Sequence, residues 1–262
     1  PFARYWMHNG LTRIRTKATA GEWKNEKMSK SLGNIRQIDE LLDEYGGELL
    51  RAFVLGTHYR RPLEFSDEQL TATARSLETF YRLFERVERV TGSDAYGDGV
   101  DIVRMHGEAP TDADRAFVDE VVRLRLNFYE AMDDDFNTAN AFAALHNMAA
   151  AVNRYIDSAG LETAEAGAGD DEQLALDARK RLAAAAGVTL VRTGRIVGLF
   201  LAPPERPAGG KGPDDAEIDR LVAERSEARK ARDFARADAI RDQLAEMGIT
   251  LEDTPSGVVW RR

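Results

Sequence analysis

Apolar residues along this 262-residue chain recur mostly at helical spacing, and the places where that spacing stops divide it. Leu11 to Arg15 alternates apolar and basic residues within an opening segment of mixed strand and loop character, and a polar, Gly-containing stretch follows. Ile35, Ile38, Leu41 and Leu42 then share one face of a short helix over Ile35 to Tyr45, which Gly46-Gly47 ends. Helical spacing resumes with Leu49, Leu50, Phe53 and Val54 and breaks at Pro62. Ser66, with Glu68-Gln69 close behind, marks the start of a long helix.

From there to about residue 202 the pattern predicts an antiparallel helical bundle. Leu70, Leu77, Phe80, Tyr81, Phe84 and Val87 form one stripe, and Phe117, Val121, Leu124, Phe128 and Met132 a second. Phe142, Leu145, Ala149, Val152 and Ile156 form a third, at spacings of three and four. A fourth helix is expected over about Asp171 to Ala186, and Ile196 to Leu201 is a short apolar segment ahead of Pro203-Pro204. The connections at 92–111 and 158–170 are rich in Gly, Asp and Ala and predict mobile surface loops.

Ala208 to Pro213 is a linker by composition, and a small separate unit follows it. The expected elements are helices over Asp215 to Arg232 and Ala235 to Met247, a stop at Gly248, and strands over Ile249 to Glu252 and Val258 to Arg261. The expected architecture is therefore mainly α, with segments 1–64, 65–206, a linker at 207–213, and 214–262.

Charge changes the picture locally. The chain carries 36 Lys and Arg against 45 Asp and Glu, a formal net charge of −9, which argues against indiscriminate nucleic-acid binding over its whole surface. An RNA partner would need basic patches, and two exist: residues 1–36 hold eight Lys/Arg against two Glu, and residues 225–241 hold six against three acids. No apolar run approaches the roughly 18 residues of a membrane span, and nothing resembles a signal peptide. The chain has no Cys, which excludes a disulfide framework and fits a cytoplasmic location.

Lys27-Met28-Ser29-Lys30-Ser31, followed by Leu32-Gly33-Asn34, places two ammonium groups and two hydroxyls ahead of a Gly. The lysines can neutralise phosphate oxygens as movable point charges, the serines add neutral donors, and Gly33 frees the backbone to close over a ligand. Taken alone, such a pentapeptide is more often a solvated basic turn. Its surroundings extend it in order along the chain: Tyr5-Trp6-Met7-His8-Asn9-Gly10, Leu49-Leu50-Arg51-Ala52-Phe53, Thr57-His58-Tyr59-Arg60-Arg61-Pro62-Leu63 and Met132-Asp133-Asp134-Asp135-Phe136-Asn137-Thr138. Towards the end come Ala235-Arg236-Ala237-Asp238, Met247-Gly248-Ile249, Leu251-Glu252-Asp253 and Trp260-Arg261-Arg262.

Together these resemble the cysteinyl-tRNA synthetases of class I. The resemblance implies a remnant of a class I catalytic domain bearing the KMSKS loop, a helical bundle lying along tRNA, and a small α/β tip, two helices and a β-hairpin, that reads the anticodon. It implies that Lys27, Met28, Ser29, Lys30 and Ser31 bind ATP, with Lys30 and then Lys27 catalytic, and that Arg229, Phe234, Asp238 and Asp253 contact anticodon bases. Phe234 stands where the family often has Trp. Partners would be tRNA(Cys), cysteine and ATP with Mg²⁺, acting on a monomer.

The same resemblance places a HIGH-type motif and cysteine-reading zinc ligands upstream of Pro1, so the chain is expected to be a carboxyl-terminal portion, inactive alone. No zinc site can be argued from its own residues: His8, His58, His106 and His146 lie too far apart for a His-x₃₋₅-His half-site. Thr16 to Asn25, including Trp23, is longer than the short turn expected before KMSKS; it either extends the loop or builds a longer hairpin. Two other readings share some of these features, a ligase joining cysteine to an amino-sugar and a non-catalytic tRNA-binding module, and residues 214–262 argue against the first.

Four further features have plainer explanations. His8 and His58, beside Trp6 and Tyr59, are expected to be packed and hydrogen-bonded. Asp133-Asp134-Asp135 is expected to end one helix ahead of an N-cap, in preference to holding a metal. Gly210-Lys211 lacks the Ser/Thr and the preceding strand of a Walker A loop. Arg225, Arg229, Arg232 and Arg236 predict one basic helical face running into Phe234, either a solvated, ion-paired face or an RNA contact.

Overall fold

Alternation at Leu11 to Arg15 becomes a strand at the centre of a three-stranded sheet. Thr12–Lys17 (β1) pairs antiparallel with Trp23–Lys27 (β2), Arg13 opposite Lys27 and Lys17 opposite Trp23, and parallel with Leu63–Phe65 (β3). The long approach to Lys27 therefore builds a hairpin. This computed structural model describes residues 2–17, 23–27, 37–164, 169–204, 215–230, 233–246, 249–254 and 257–261, in two units, 1–203 and 204–262.

Ile38–Tyr45 (α1) and Gly47–Leu55 (α2) follow, joined at Gly46, whose φ of 75° suits glycine and whose N–H donates to the Leu42 carbonyl at 2.9 Å. Leu41, Leu50, Phe53, Phe65 and Leu70 form a small core, with the Phe53 and Phe65 rings edge to face at 5.7 Å. The expected stripe on α1 is only partly used: Leu41 is buried, but Ile38 and Leu42 are 61% and 43% exposed.

The bundle is built from Asp67–Thr91 (α3), Asp112–Asp133 (α4), Thr138–Ser158 (α5) and Asp170–Arg195 (α6). Each predicted stripe faces one core containing Leu77, Phe80, Phe84, Val87, Phe117, Val121, Phe128, Leu145, Val152 and Ile156. Ser66 caps α3 as its sequence suggests, accepting from the Gln69 N–H at 3.3 Å.

Two expectations are corrected. The fourth helix does not stop near Ala186 but continues through Gly187 and Gly194 to Arg195. Those glycines are close-packing positions: a Cβ on Gly187 would meet Val87 Cγ1 at 3.2 Å, and one on Gly194 would clash with the Phe200 ring. Ile196 to Leu201 is then the turn that folds Phe200 back over the helix end, with Phe200 fully buried at a φ of 56°. Its ring lies 5.0 Å from Phe80 and 5.1 Å from Phe84.

The second correction concerns the loops. Residues 92–111 contain two short 3₁₀ turns, Ile102–Arg104 and His106–Glu108, and bury Ala95, Ile102, Met105 and Ala109. The Ile102 N–H donates to Thr189 Oγ1 at 2.9 Å, anchoring the loop to α6. In the second loop, Leu161 is buried and Glu162 accepts from Arg86 at 3.1 Å and Arg89 at 2.8 Å. Both segments carry scattered apolar residues among polar ones, too few to register as a period.

In the second unit Asp215–Lys230 (α7) and Phe234–Glu246 (α8) pack on an antiparallel hairpin of Thr250–Thr254 (β4) and Gly257–Arg261 (β5). Ile218, Leu221, Val222, Ile240, Leu244 and Ile249 form its core. The linker at 208–213 lies outside the described residues. The observed class is mainly α with a small α/β carboxyl-terminal unit, as expected.

Asp114 shows how polar groups enter the bundle at little cost. It closes a capping box with Thr111, accepts from the Tyr155 hydroxyl at 2.8 Å, and sits 3.4 Å from Arg179 Nε. Burial raises its pKa, but the hydrogen bonds from Thr111 and Tyr155 and the Arg179 charge bring the net value below 3.8. A carboxylate depressed in the folded state stabilises above its unfolded pKa, and that stabilisation is lost as pH falls through the folded value. Urea unfolding is therefore expected to give a lower free energy at pH 3 than at pH 6, with a smaller difference in Asp114→Asn; an unchanged difference would remove Asp114 from the account.

Candidate functional site

The site that the sequence singles out begins where β2 ends. Lys27 closes β2 opposite Arg13, and Met28, Ser29, Lys30 and Ser31 lie outside the described residues, as does the Lys27 side chain. What the structure describes is the mount for that loop. β1 holds β2 on one edge and β3 on the other, so the strand entering the loop is fixed to the chain that leads into the bundle.

Ahead of β1, the Gly10 N–H donates to the Tyr59 carbonyl at 2.6 Å, and the Leu63 N–H donates to the Leu11 carbonyl at 3.0 Å. A Cβ on Gly10 would sit 2.1 Å from the Arg61 carbonyl oxygen, so only glycine allows these two backbones to approach.

Asp135 makes a second connection. Its carboxylate accepts from the Tyr59 hydroxyl at 2.6 Å and from Arg60 through both Nε and Nη2, the latter at 3.0 Å, while His58 Nε2 stands 4.0 Å away. The Arg60 and Tyr59 hydrogen bonds hold its pKa down at about 2. Asp135 and Phe136 both take positive φ, 54° and 53°, in the turn between α4 and α5, a conformation that surrounding contacts must impose on residues with a Cβ. Asp134 ends α4, and Asn137 caps α5 by accepting from the Asn140 N–H at 3.2 Å. The aspartate run is thus a helix end and cap, as read, and also a clamp on residues 58–60, which sequence reasoning missed. No local signal pairs Asp135 with residues 75 positions earlier.

His58 is the packed residue expected: it stacks on Tyr59 with centroids 5.0 Å apart and accepts from the Arg60 N–H at 3.2 Å. His8, also expected to be packed, is instead exposed, its ring stacked on Trp6 with centroids 6.5 Å apart. Among the described residues, no three His, Asp or Glu side chains group as metal ligands. With no Cys in the sequence, the residues present do not fit a zinc site.

The second basic patch differs from expectation. Arg225 is only 7% exposed, because it follows Ile218, Leu221 and Val222 on the face of α7 that enters the core. Arg236 is exposed but donates to Glu224 Oε1 through Nη2 at 2.6 Å and Nε at 3.2 Å. Arg232 lies outside the described residues. The single basic face is therefore broken.

What faces solvent is Arg229 near the end of α7, Phe234 at the start of α8 and Asp238 one turn later. Asp233 accepts from the Arg236 N–H at 3.1 Å, an N-cap that sets Phe234 at the first helical position, where its ring is 62% exposed. Asp238 pairs with Arg241 at 3.1 Å, three residues on. Asp253 lies on β4, its side chain outside the described residues. On one unit, an exposed aromatic ring can stack on an unpaired base, an exposed arginine can neutralise a phosphate, and a carboxylate can accept from a base amino group.

Residues 1–75 match the catalytic domain of class I (C) tRNA synthetases, residues 127–201 the DALR domain, and residues 215–261 the cysteinyl-tRNA ligase anticodon binding domain. The cysteine--tRNA ligase of Geobacter sulfurreducens is 37% identical over 269 residues, covering 100% of this chain and 48% of that protein. Those of Geotalea daltonii and Alkalilimnicola ehrlichii are 39% and 40% identical over 99% and 100% of this chain, which covers 49% and 46% of them. The chain thus spans about half the length of the curated relatives it matches. Among solved structures, an Agrobacterium radiobacter K84 LeuRS–tRNA–LeuAMS ternary complex superposes with a TM-score of 0.47 at 18% identity, covering 74% of this chain and 23% of that one, a likeness too slight to bear on function.

The clamp is open to measurement. Asp135→Ala is expected to speed amide exchange in residues 57–62 and in the 134–137 turn while leaving the centres of α4 and α5 protected; equal exchange in all four segments would show that the clamp fixes nothing.

Proposed function

We propose, from the premise that the chain belongs to the cysteine--tRNA ligase family, that it supplies the ATP-gripping loop and the tRNA-reading surfaces of a ligase that joins cysteine to tRNA(Cys). The observation that carries this is the order of its parts: a catalytic-domain match bearing KMSKS, a DALR bundle, and an anticodon-binding unit whose exposed Arg229, Phe234 and Asp238 suit an unstacked base.

In the first half-reaction a carboxylate oxygen of cysteine attacks the α-phosphorus of ATP, forming cysteinyl-adenylate and expelling pyrophosphate. ATP arrives with its Mg²⁺. Negative charge grows on the phosphate oxygens as the bond to pyrophosphate breaks, and the ammonium groups of Lys30 and Lys27 meet it from a loop that closes over the nucleotide. Met28, Ser29 and Ser31 belong to the same ATP-binding loop. In the second half-reaction a ribose hydroxyl at the 3′ end of tRNA attacks the acyl carbon and releases AMP.

The reading assigns 1–64 to the end of the catalytic domain, 65–206 to the bundle along the tRNA, 207–213 to a linker and 214–262 to anticodon recognition by Arg229, Phe234, Asp238 and Asp253. It describes a cytoplasmic monomer whose other half binds cysteine, so this chain alone forms no adenylate. Among the described residues no helix is long and apolar enough to cross a membrane.

Two measurements test the reading separately. In a ligase that contains this segment, Lys30→Ala is expected to lower cysteine-dependent pyrophosphate exchange by about 10²- to 10³-fold, the scale of one lost transition-state donor. A loss under threefold would remove Lys30 from catalysis. For the chain itself, Phe234→Ala is expected to weaken tRNA(Cys) binding by about 5- to 150-fold, the range of one base stack, and Arg229→Ala to flatten its salt dependence. Parental affinity in both variants would overturn anticodon reading by this unit.

A further inference from the structure

Between α4, α6 and the loop that the sequence left as a mobile connection lies an open depression of about 430 Å³ that none of the foregoing uses. Three arginines reach it from three separate elements: Arg104 from a 3₁₀ turn, Arg125 from α4 and Arg192 from α6. Two are held in place by the protein. Arg125 donates through Nη1 to both oxygens of Asp101, at 2.9 and 2.8 Å, and through Nη2 to the Tyr129 hydroxyl at 3.4 Å. Arg192 donates to the Gly99 carbonyl through Nη2 at 2.9 Å. Each therefore keeps further N–H groups, since a guanidinium carries five.

Arg104 is exposed, and among the described residues its guanidinium has no hydrogen-bond or ion-pair partner. Asp98 and Asp101 are the acids of the lining, so the depression is net positive by one charge within a chain of net charge −9. Val100 and Val103, each 51% exposed, add an apolar lip.

Forked donors fixed by backbone and carboxylate contacts, one free guanidinium and an open, partly apolar mouth suit a phosphodiester with its ribose: the guanidiniums grip phosphate oxygens and the valines meet the sugar. We propose that this depression binds the phosphate backbone of the RNA, a contact separate from the terminal unit. The proposal rests on the reading that the chain binds tRNA. It gives the buried loop 92–111 a purpose: packing Ile102 and Met105 into the core fixes Arg104 relative to α4 and α6.

The test is fluorescence anisotropy of labelled tRNA(Cys) transcript with this chain across about 50 to 200 mM salt. Arg104→Ala with Arg192→Ala should raise Kd about tenfold at the upper salt and lower the slope of log K against log salt by about two, one per contact. Arg104→Glu should weaken binding further, and as an exposed, unpartnered position it leaves the fold intact, checked by its melting curve. Arg75→Ala, which removes an exposed arginine from α3 outside the depression, should stay within twofold of the parent.

If Arg75→Ala costs as much as Arg104→Ala, net charge explains the loss and the proposal is overturned. If Phe234→Ala weakens binding while the Arg104 and Arg192 variants do not, the depression is no RNA site and the anticodon reading stands. If the parent chain shows no binding, both fall.

Discussion

Phe200 is where this fold closes. The residue is held at a left-handed φ of 56° and is fully buried, a backbone cost of about 1 to 3 kcal/mol that only dense surroundings sustain. Those surroundings come from everywhere. Gly194 leaves room for the ring, Phe80 and Phe84 pack on it, Arg195 donates to its carbonyl at 3.1 Å, and Glu48 accepts from its N–H at 2.6 Å. Arg51 adds a bond to the Gly198 carbonyl at 2.6 Å. One turn at the end of α6 thus ties α2, which belongs to the segment matching a catalytic domain, to the bundle.

Three devices seat the loop-bearing segment: the α2 contacts to this turn, the parallel β1–β3 pairing, and the Asp135 clamp on Tyr59 and Arg60. They use different physics. The first is a pair of side chains satisfying backbone groups beside an aromatic core, the second a backbone ladder, and the third a charge-assisted fork. Under the proposed function the loop closes over a nucleotide, and such a loop needs a rigid base, because movement of the base would dissipate the precision of closure.

Much of this was legible from residue order. The stripes of α3, α4 and α5 follow from 3.6-residue spacing, Ser66 and Asn137 from cap chemistry, and the terminal hairpin from alternation around a turn. The fourth helix was expected to end near Ala186, short of Gly187 and Gly194, whose place inside it is explained only by neighbours that need the space. The packed loop at 92–111 escaped because Ile102 and Met105 are isolated apolar residues whose burial depends on Thr189 and Arg125, far along the chain. At the candidate site, motif order singled out Lys27 to Ser31, of which the structure describes only the Lys27 backbone, and Arg229, Phe234 and Asp238, which it places at the surface. It misjudged Arg225, whose place on the core face of α7 outweighs its charge. Asp135 was read as a helix end, and its grip on Arg60 was invisible, since pairing across 75 residues leaves no periodic trace.

The Phe200 turn also dictates an order of assembly. Glu48 and Arg51 wait on partners about 150 residues downstream, and loop closure of that length is entropically slow beside the local formation of α3 to α5. On a ribosome, the helices can form as they emerge, yet α2 cannot complete its contacts until residue 200 has left the exit tunnel. The segment bearing KMSKS is thus synthesised before the bundle but seated after it.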